Sequence, residues 1–513
     1  MFSIKNYKHL IFKSSLLFLI SALLWSCQGN DNNDDQDPVN TEFPVISQFS
    51  FLKANNPSLI QDYHFTIENN KISGRISHEA SIRNLIATFT HHGTEINAND
   101  QVQNSGVSTN DFTHNLNYVV KTSDGRQDIY EIEIVYFTNL PIIYLTTNGD
   151  LPIDSKEEYR EGFVAIYGGK ELEDFSSAEM KIKGRGNSTW FVHPKKPFQL
   201  KFPEKTSILG MPEDKKWIFL AEYSDKSLMR NTIAFELGYL SKLDWTPESV
   251  FTDVFVNNEY GGTYNISQKV EESTNRVALG DNGYLLEIDQ LNRLDADDVY
   301  FRTDRFLINI KEPELEYDSE QYNYAKNLLN DFENALFGSN FSDLEIGYHK
   351  YIDVDSFIDW YLISEITKNQ DSKDFSSIFM NVIPGGKIKM GPLWDFDLAF
   401  GNVNYSDATY PSGFWVKDHK WYARLFEDQN FKSKVKSRFL YFKDNVDFIL
   451  EKMDEYAELL KYSQEENNDK WNLFGRHVWP NPVFYNSHQE EVDHLKNWYE
   501  QRMVWLDNAF RNL

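Results

Sequence analysis

The sequence predicts an α+β protein, all-β at its N-terminal end and helical at its C-terminal end. Three observations predict it. Segments of alternating polar and apolar residues run from Pro44 to about Lys311. Helical stripes replace them beyond that point. Hydrophobic residues make up 41 % and aromatics 15 % of 513 residues, enough for two or three separate cores. Strands followed by helices, rather than a strict alternation of the two, is the order of an α+β chain.

The first element, residues 1–26, is read as a targeting segment. Lys5, Lys8 and Lys13 precede "SSLLFLISALLWSC", an apolar run too short to span a bilayer as a mature helix. Leu24-Trp25-Ser26-Cys27 resembles a bacterial lipobox, which implies cleavage before Cys27 and a lipid on its sulfur. Cys27 is the only cysteine, so the mature chain has no internal disulfide even though it is exported. Residues 27–43, "CQGNDNNDDQDPVNTEF", are polar and acidic and read as a disordered linker. In lipoproteins of the Bacteroides type such a stretch resembles a surface-export signal, which implies an outer-membrane, surface-exposed location. The formal charge of -27 disfavours nucleic acid as a partner, because phosphate contacts demand clustered cations.

Residues 44–138 come next. "DYHFTIENNKISGRI" has the form of a hairpin, and "QDIYEIEIVYF" sets Ile129, Glu131, Glu133 and Val135 opposite Tyr130, Ile132, Ile134 and Tyr136. An antiparallel β-sandwich follows from this pattern. It resembles the Ig-like or cadherin-like domains that often follow a lipid anchor. No chemical constellation is found in it, so it is expected to act as a spacer or binding module.

Residues 139–513 form the second domain, strand-rich to about Lys311 and helical after. In "DSEQYNYAKNLLNDFENALFG" an apolar stripe of Tyr322, Ala325, Leu328, Leu329, Phe332 and Leu336 ends at Gly338. "VDSFIDWYLISEITKN" reads as another helix. The last helix carries Val492, Leu495, Trp498, Tyr499, Arg502, Trp505 and Leu506 on one side.

Two stretches carry chemistry. "GPLWDFDLAFGN" sets Asp395 and Asp397 among large apolar groups; on an extended strand the two carboxylates share one face, as a cation site would need. "MKIKGRGNSTWFVHPKKPFQLKF" gathers Lys181, Lys183, Arg185, Lys195, Lys196 and Lys201 on two strands of an otherwise acidic chain. Gly184 and Gly186 let backbone approach a ligand there, and Asn187 and Ser188 can orient the turn. Lys196 falls in phase with Phe198, Leu200 and Phe202, a buried face on which a lysine needs an anionic partner such as phosphate or a route to water. Lys195 is expected to point the other way. His193 reads as a surface residue, and Glu287 and Asp289 in "GYLLEID" as structural.

"KGRGNSTW", "KKPFQLKF", "WIFLAEYSDKSLMRN", "VNNEYGGTYNI", "GYLLEID", "NIKEPE", "KNQD" and "GPLWDFDLAFGN" occur in the order found in the CotH kinase family, the spore-coat-protein-H-like proteins, which residues 140–510 resemble. The resemblance implies a two-lobed, atypical protein-kinase-like domain that moves phosphoryl from ATP to Ser or Thr of a protein, with Mg²⁺ or Mn²⁺. Asp395 and Asp397 match the metal-binding WDxD, and Asp371 the catalytic acidic position that aligns the acceptor hydroxyl. Gly184, Arg185, Gly186, Asn187 and Lys196 match the phosphate cradle. Arg230 and Asn231 of "SLMRN" are further phosphate or structural contacts. Asp371 as a turn cap, Arg230 in an internal ion pair and Asp397 as support for Asp395 are the plainer alternatives.

Two departures from the family pattern weigh on activity. Ser376 stands near the position where members carry Asn after the catalytic Asp, and Gln268 stands where an acidic residue follows the "GxY" strand. The alternative function is therefore a catalytically inactive surface lipoprotein that binds a glycan or protein partner through the same fold. A glycosidase using paired carboxylates is a third class; it accounts for neither the basic hairpin nor the ordered motifs.

Overall fold

A computed structural model describes residues 43–513. The expected targeting segment, lipidated Cys27 and all of the acidic linker but Phe43 lie outside the described residues.

Strands dominate residues 46–137. Ile46–Phe51 pairs with Tyr63–His64 and Thr88–His91, and a six-stranded sheet contains Lys71–Ser77, Gln127–Phe137, Leu116–Lys121 and Glu95–Ala98. The hairpin is present: Thr66–Glu68 and Lys71–Ser77 are joined by Asn69 and Asn70, at φ 49° and 63°, the left-handed pair a tight hairpin turn requires. Tyr130 and Ile132 face inward and Ile129 and Glu131 outward, as the alternation requires. Phe49 of the first sheet meets Tyr118 of the second edge-on, with ring centroids 5.8 Å apart, so both sheets share one core. One feature differs from the expected antiparallel pattern: Gln127–Phe137 runs parallel to Lys71–Ser77.

A closed barrel follows. Its strands are, around the wall, Ile142–Thr147, Arg160–Tyr167, Phe175–Gly184, Phe198–Thr206, Asp214–Leu220, Glu259–Gln268 and Ser249–Val256; the last pairs parallel with the first and closes the wall. Ile143, Val164, Ile182, Leu200, Trp217, Phe219 and Ile266 fill its interior.

The strand pattern gave no sign of one helix, Arg230–Tyr239, which interrupts this region. All of it but Glu236 and Tyr239 is buried, so it has no continuous polar face for a periodicity to reveal. Its first turn is held by buried Asp225, which accepts from Arg230 N at 2.7 Å.

A five-stranded sheet (Val299–Arg302, Leu307–Glu312, Tyr284–Ile288, Ile378–Val382, Lys389–Met390) packs with the helices on the largest core. Glu320–Phe337 buries Tyr322, Ala325, Leu329, Phe332 and Leu336, and His488–Arg511 buries Val492, Leu495, Trp498, Tyr499, Arg502 and Leu506, as their stripes require. Val354–Thr367 starts on Asp353, whose carboxylate accepts from Ser356 N at 2.8 Å, and ends at Lys368 in the left-handed region, φ 45°. That end delivers the chain to Asp371. Among the described residues no helix is long and apolar enough to cross a membrane.

Candidate functional site

A cleft of about 580 Å³ lies between the barrel and the five-stranded sheet. Barrel strand Phe175–Gly184 runs out into the Gly184–Asn187 turn on one bank. Strand Tyr284–Ile288 and the segments carrying Asp371, Asp395 and Asp397 form the other.

Asp395 and Asp397 both line the cleft, but not as strand neighbours. Residues 391–396 form no regular element, and Asp395 sits at φ 68°, in the left-handed region. The shared-face geometry is thereby corrected: an irregular turn, not a pleat, brings the carboxylates together. Hydrogen bonds hold the turn. Asn231 Oδ1 accepts from Phe396 N at 2.7 Å, Asn369 Nδ2 donates to Asp395 O at 3.1 Å, and Asn402 Nδ2 donates to Asp397 O at 2.8 Å. Asn231 is therefore a positioning residue that also donates to Glu222 Oε1 at 3.0 Å.

Asp371 faces the same space. Its carboxylate accepts from Ser376 Oγ at 3.4 Å and lies 3.9 Å from Arg293 Nη1, which itself donates to Ser376 Oγ at 3.0 Å. Burial, and then the charge of Asp395, push the Asp371 carboxyl up to about 7, with Arg293 opposing. Asp397 is pushed well up by burial and then by Asp395, Glu222 and Asp371. Arg185 rests 5.4 Å over the Trp394 ring, in the field of Asp395, Asp397 and Glu287. Its guanidinium donates no hydrogen bond to any described residue, which leaves an unfilled fork in a cleft lined by carboxylates.

Three other assignments change. Lys196 does not reach the cleft; its Nζ donates to Trp190 O at 2.5 Å and His193 O at 2.6 Å and closes that loop. Lys195, expected outside, is buried, donating to Asn467 Oδ1 at 2.9 Å and to Thr263 O, and burial pushes it down to about 7. The phase count failed because the strand begins only at Phe198, after Pro194 and Pro197. Arg230 takes the internal ion pair that was its plainer alternative: its guanidinium pairs with buried Asp225 and does not line the cleft.

The glycines divide their work. Gly186 needs its φ of 78°, whereas a Cβ on Gly184 would stand 2.2 Å from the Trp190 ring, so Gly184 makes room for an indole rather than a ligand. Asn187 Oδ1 accepts from Lys156 Nζ at 3.1 Å. His193 is buried against Tyr223 and pushed down to about 4 by that burial.

Several cleft residues escaped the sequence reading. Glu287 and Asp289 face the cleft, with Lys311 Nζ 3.9 Å from Glu287. Strand Tyr284–Ile288, which carries Glu287 and ends just before Asp289, is buried along its whole length, so alternation could not separate a cleft face from a core face. Lys269 pairs with Glu271 at 3.3 Å, and Lys216 with the same carboxylate at 3.0 Å. Lys269 and Glu271 supply a lysine–glutamate pair in the cleft, next to Gln268, which stays in the barrel wall with its Oε1 accepting from Glu248 N at 2.9 Å.

Among the described residues no three His, Cys, Asp or Glu side chains are grouped to hold a metal alone. Mg²⁺ keeps waters and takes phosphate oxygens, so one or two carboxylates serve it. The donor set fits: the Asp397 carboxylate accepts no hydrogen bond from any described residue, and its repulsion with Asp395 is what a cation relieves.

The sign of that repulsion is testable. Asp371 holds its proton up to about 7, against 3.8 unfolded, so the native state binds more protons across that window. The resulting destabilisation is absent below the unfolded value, grows through the window and is complete above about 7. From about pH 5 to about pH 8, wild type is expected to lose about 2–4 °C of Tm relative to Asp371→Asn, in which the titrating carboxyl is gone. A constant difference between the two proteins by calorimetry would contradict this.

The family model for "CotH kinase protein" matches residues 182–506, more than half of the chain, and the protein belongs to that family. No curated protein matches the chain. Among solved structures, a protein from Bacteroides thetaiotaomicron provisionally described as a glycoside hydrolase aligns over 57 % of this chain and 89 % of its own, at 13 % identity and a TM-score of 0.17. At that score the likeness carries no argument.

Proposed function

We propose that the protein transfers the terminal phosphoryl group of ATP to a Ser or Thr hydroxyl of an exported or surface protein, using Mg²⁺ or Mn²⁺. The observation that carries this reading is the convergence of Asp371, Asp395 and Asp397 with the unfilled Arg185 fork in one cleft. The barrel and the helical portion act as the two lobes of a kinase-like domain. Asp395 and Asp397 hold the divalent cation, which neutralises phosphate oxygens when bound.

Arg185 donates its fork to phosphate oxygens, and the Gly186–Asn187 turn brings backbone N–H groups beside them. Asp371 takes the acceptor hydroxyl proton as the oxygen bonds to phosphorus and ADP leaves. Arg293 and Ser376 fix its orientation. Lipid on Cys27 tethers the chain to the outer membrane, and the acidic linker with the β-rich unit extends the cleft from that surface.

Asp371→Asn is expected to lower phosphoryl transfer by about 10²–10⁴-fold while ATP affinity stays within about threefold. The assay follows terminal-phosphate-labelled ATP into a mixture of Ser- and Thr-containing peptides. Equal transfer by wild type and variant would contradict the role of Asp371. An inactive binding protein is the second reading, favoured by Ser376 where the family carries Asn; retained ATP binding without any transfer selects it.

A further inference from the structure

Beside Asp371 the cleft opens onto a ledge of aromatic side chains. Tyr405 and Trp479 line its mouth, stacked with ring centroids 5.9 Å apart and planes 13° apart, yet 52 % and 43 % exposed. The Tyr405 phenol, pushed up to about 12 by burial, lies in the field of Asp371 and Asp397, which places it next to the carboxylates. On the far side of Trp479 a groove of about 230 Å³ continues, floored by Tyr223 and His193 and edged by Val192 and Arg476.

The ledge is held in place from behind. Ser406 Oγ donates to Gln370 Oε1, next to Asp371. Asn481 Nδ2, two residues from Trp479, donates to Ser224 O at 2.7 Å and to Asn402 Oδ1 at 2.8 Å, and Asn402 in turn holds Asp397 O. Buried Lys226 donates to the Arg476 carbonyl, while the Arg476 guanidinium is exposed and forms no ion pair among the described residues. Large aromatics fixed by buried amides but left open to water are the make-up of a binding hot spot rather than of a core.

We propose that this groove docks the acceptor as an extended polypeptide. An apolar side chain next to the acceptor Ser or Thr packs on Tyr405 and Trp479, and an acidic side chain beyond it meets Arg476. The proposal rests on the reading of Asp371 as the acceptor-facing carboxylate. Charge decides the occupant: a neutral sugar could stack on the rings but gives Arg476 nothing to pair with, whereas a peptide supplies both partners at the 3.3 Å per-residue spacing of an extended chain.

The test reads binding, not turnover. The protein is applied to immobilised Ser-centred peptides with every neighbouring position randomised, and to an oligosaccharide array. Wild type is expected to select an aliphatic or aromatic residue beside Ser and Asp or Glu beyond it. Trp479→Ala should weaken the selected peptides by about 30-fold, and Arg476→Glu should exchange the acidic preference for Lys or Arg. Asp395→Asn should keep the peptide preference, so that failure of the phosphoryl-transfer reading stays separate from failure of the groove. No peptide selection, selection untouched by either groove variant, or selection of oligosaccharides instead overturns the proposal.

Discussion

Asp395→Asn is expected to lower phosphoryl transfer by about 10³-fold without lowering Tm. Loss of one preorganised charged group at a reacting phosphate is worth on that order. Asparagine is the informative replacement. Asp395 sits at φ 68°, where Asn is tolerated and Ala adds about 1–2 kcal/mol of backbone strain, so Ala would mix a folding defect with a chemical one. Ser377 Oγ, 3.3 Å from Asp395 Oδ2, keeps an acceptor in the variant, and the hook from Asn369 reaches the main chain and is unaffected. Steady-state transfer and a thermal melt on the same preparation separate the two effects. A variant within about threefold of wild type would remove Asp395 from the reaction.

The largest stability effect is expected at Glu365. This carboxylate and Arg502 are both fully buried and pair at 2.6 Å. Glu365 also accepts from the N–H groups of Trp415, Val416 and Lys417 at 2.6, 2.9 and 2.9 Å. Removing the side chain strands a buried guanidinium and three N–H donors, so Glu365→Ala is expected to cost about 3–5 kcal/mol. Arg502 keeps the carbonyls of Glu365, Pro411 and Gly413, which softens the loss without replacing the counter-charge. The pair joins the helix that precedes Asp371 to the last helix of the chain, so activity should fall with stability. Urea unfolding measures it; a midpoint equal to wild type would show the pair to be dispensable.

What the sequence could say followed from where each pattern met water. The stripes of Glu320–Phe337 and His488–Arg511 were legible because each helix has a wet face. Arg230–Tyr239 has no continuous one and was missed. The same rule explains the site. Asp371 was marked by the ordered motifs of the family alone, whereas alternation drew attention to Asp395 and Asp397 through a strand that is not there. Glu287 and Asp289 were read as structural; they line the cleft from the end of a strand, Tyr284–Ile288, that is buried throughout and so shows no contrast between a cleft face and a core face. Lys195 and Lys196 exchanged roles because prolines 194 and 197 interrupt the strand whose phase was counted. Asn369 and Asn402, which hold the acidic turn through its main chain, carry no local signal, whereas Asn231, marked within "SLMRN", holds the same turn from 165 residues away.

Whether the cleft holds a metal–nucleotide is decided by titration calorimetry of ATP, with Mg²⁺ and with Mn²⁺, on wild type beside Asp395→Asn. Wild type is expected to bind ATP only with a divalent cation, and Asp395→Asn to lose that binding. A well-folded wild type that binds no ATP with either cation would contradict this.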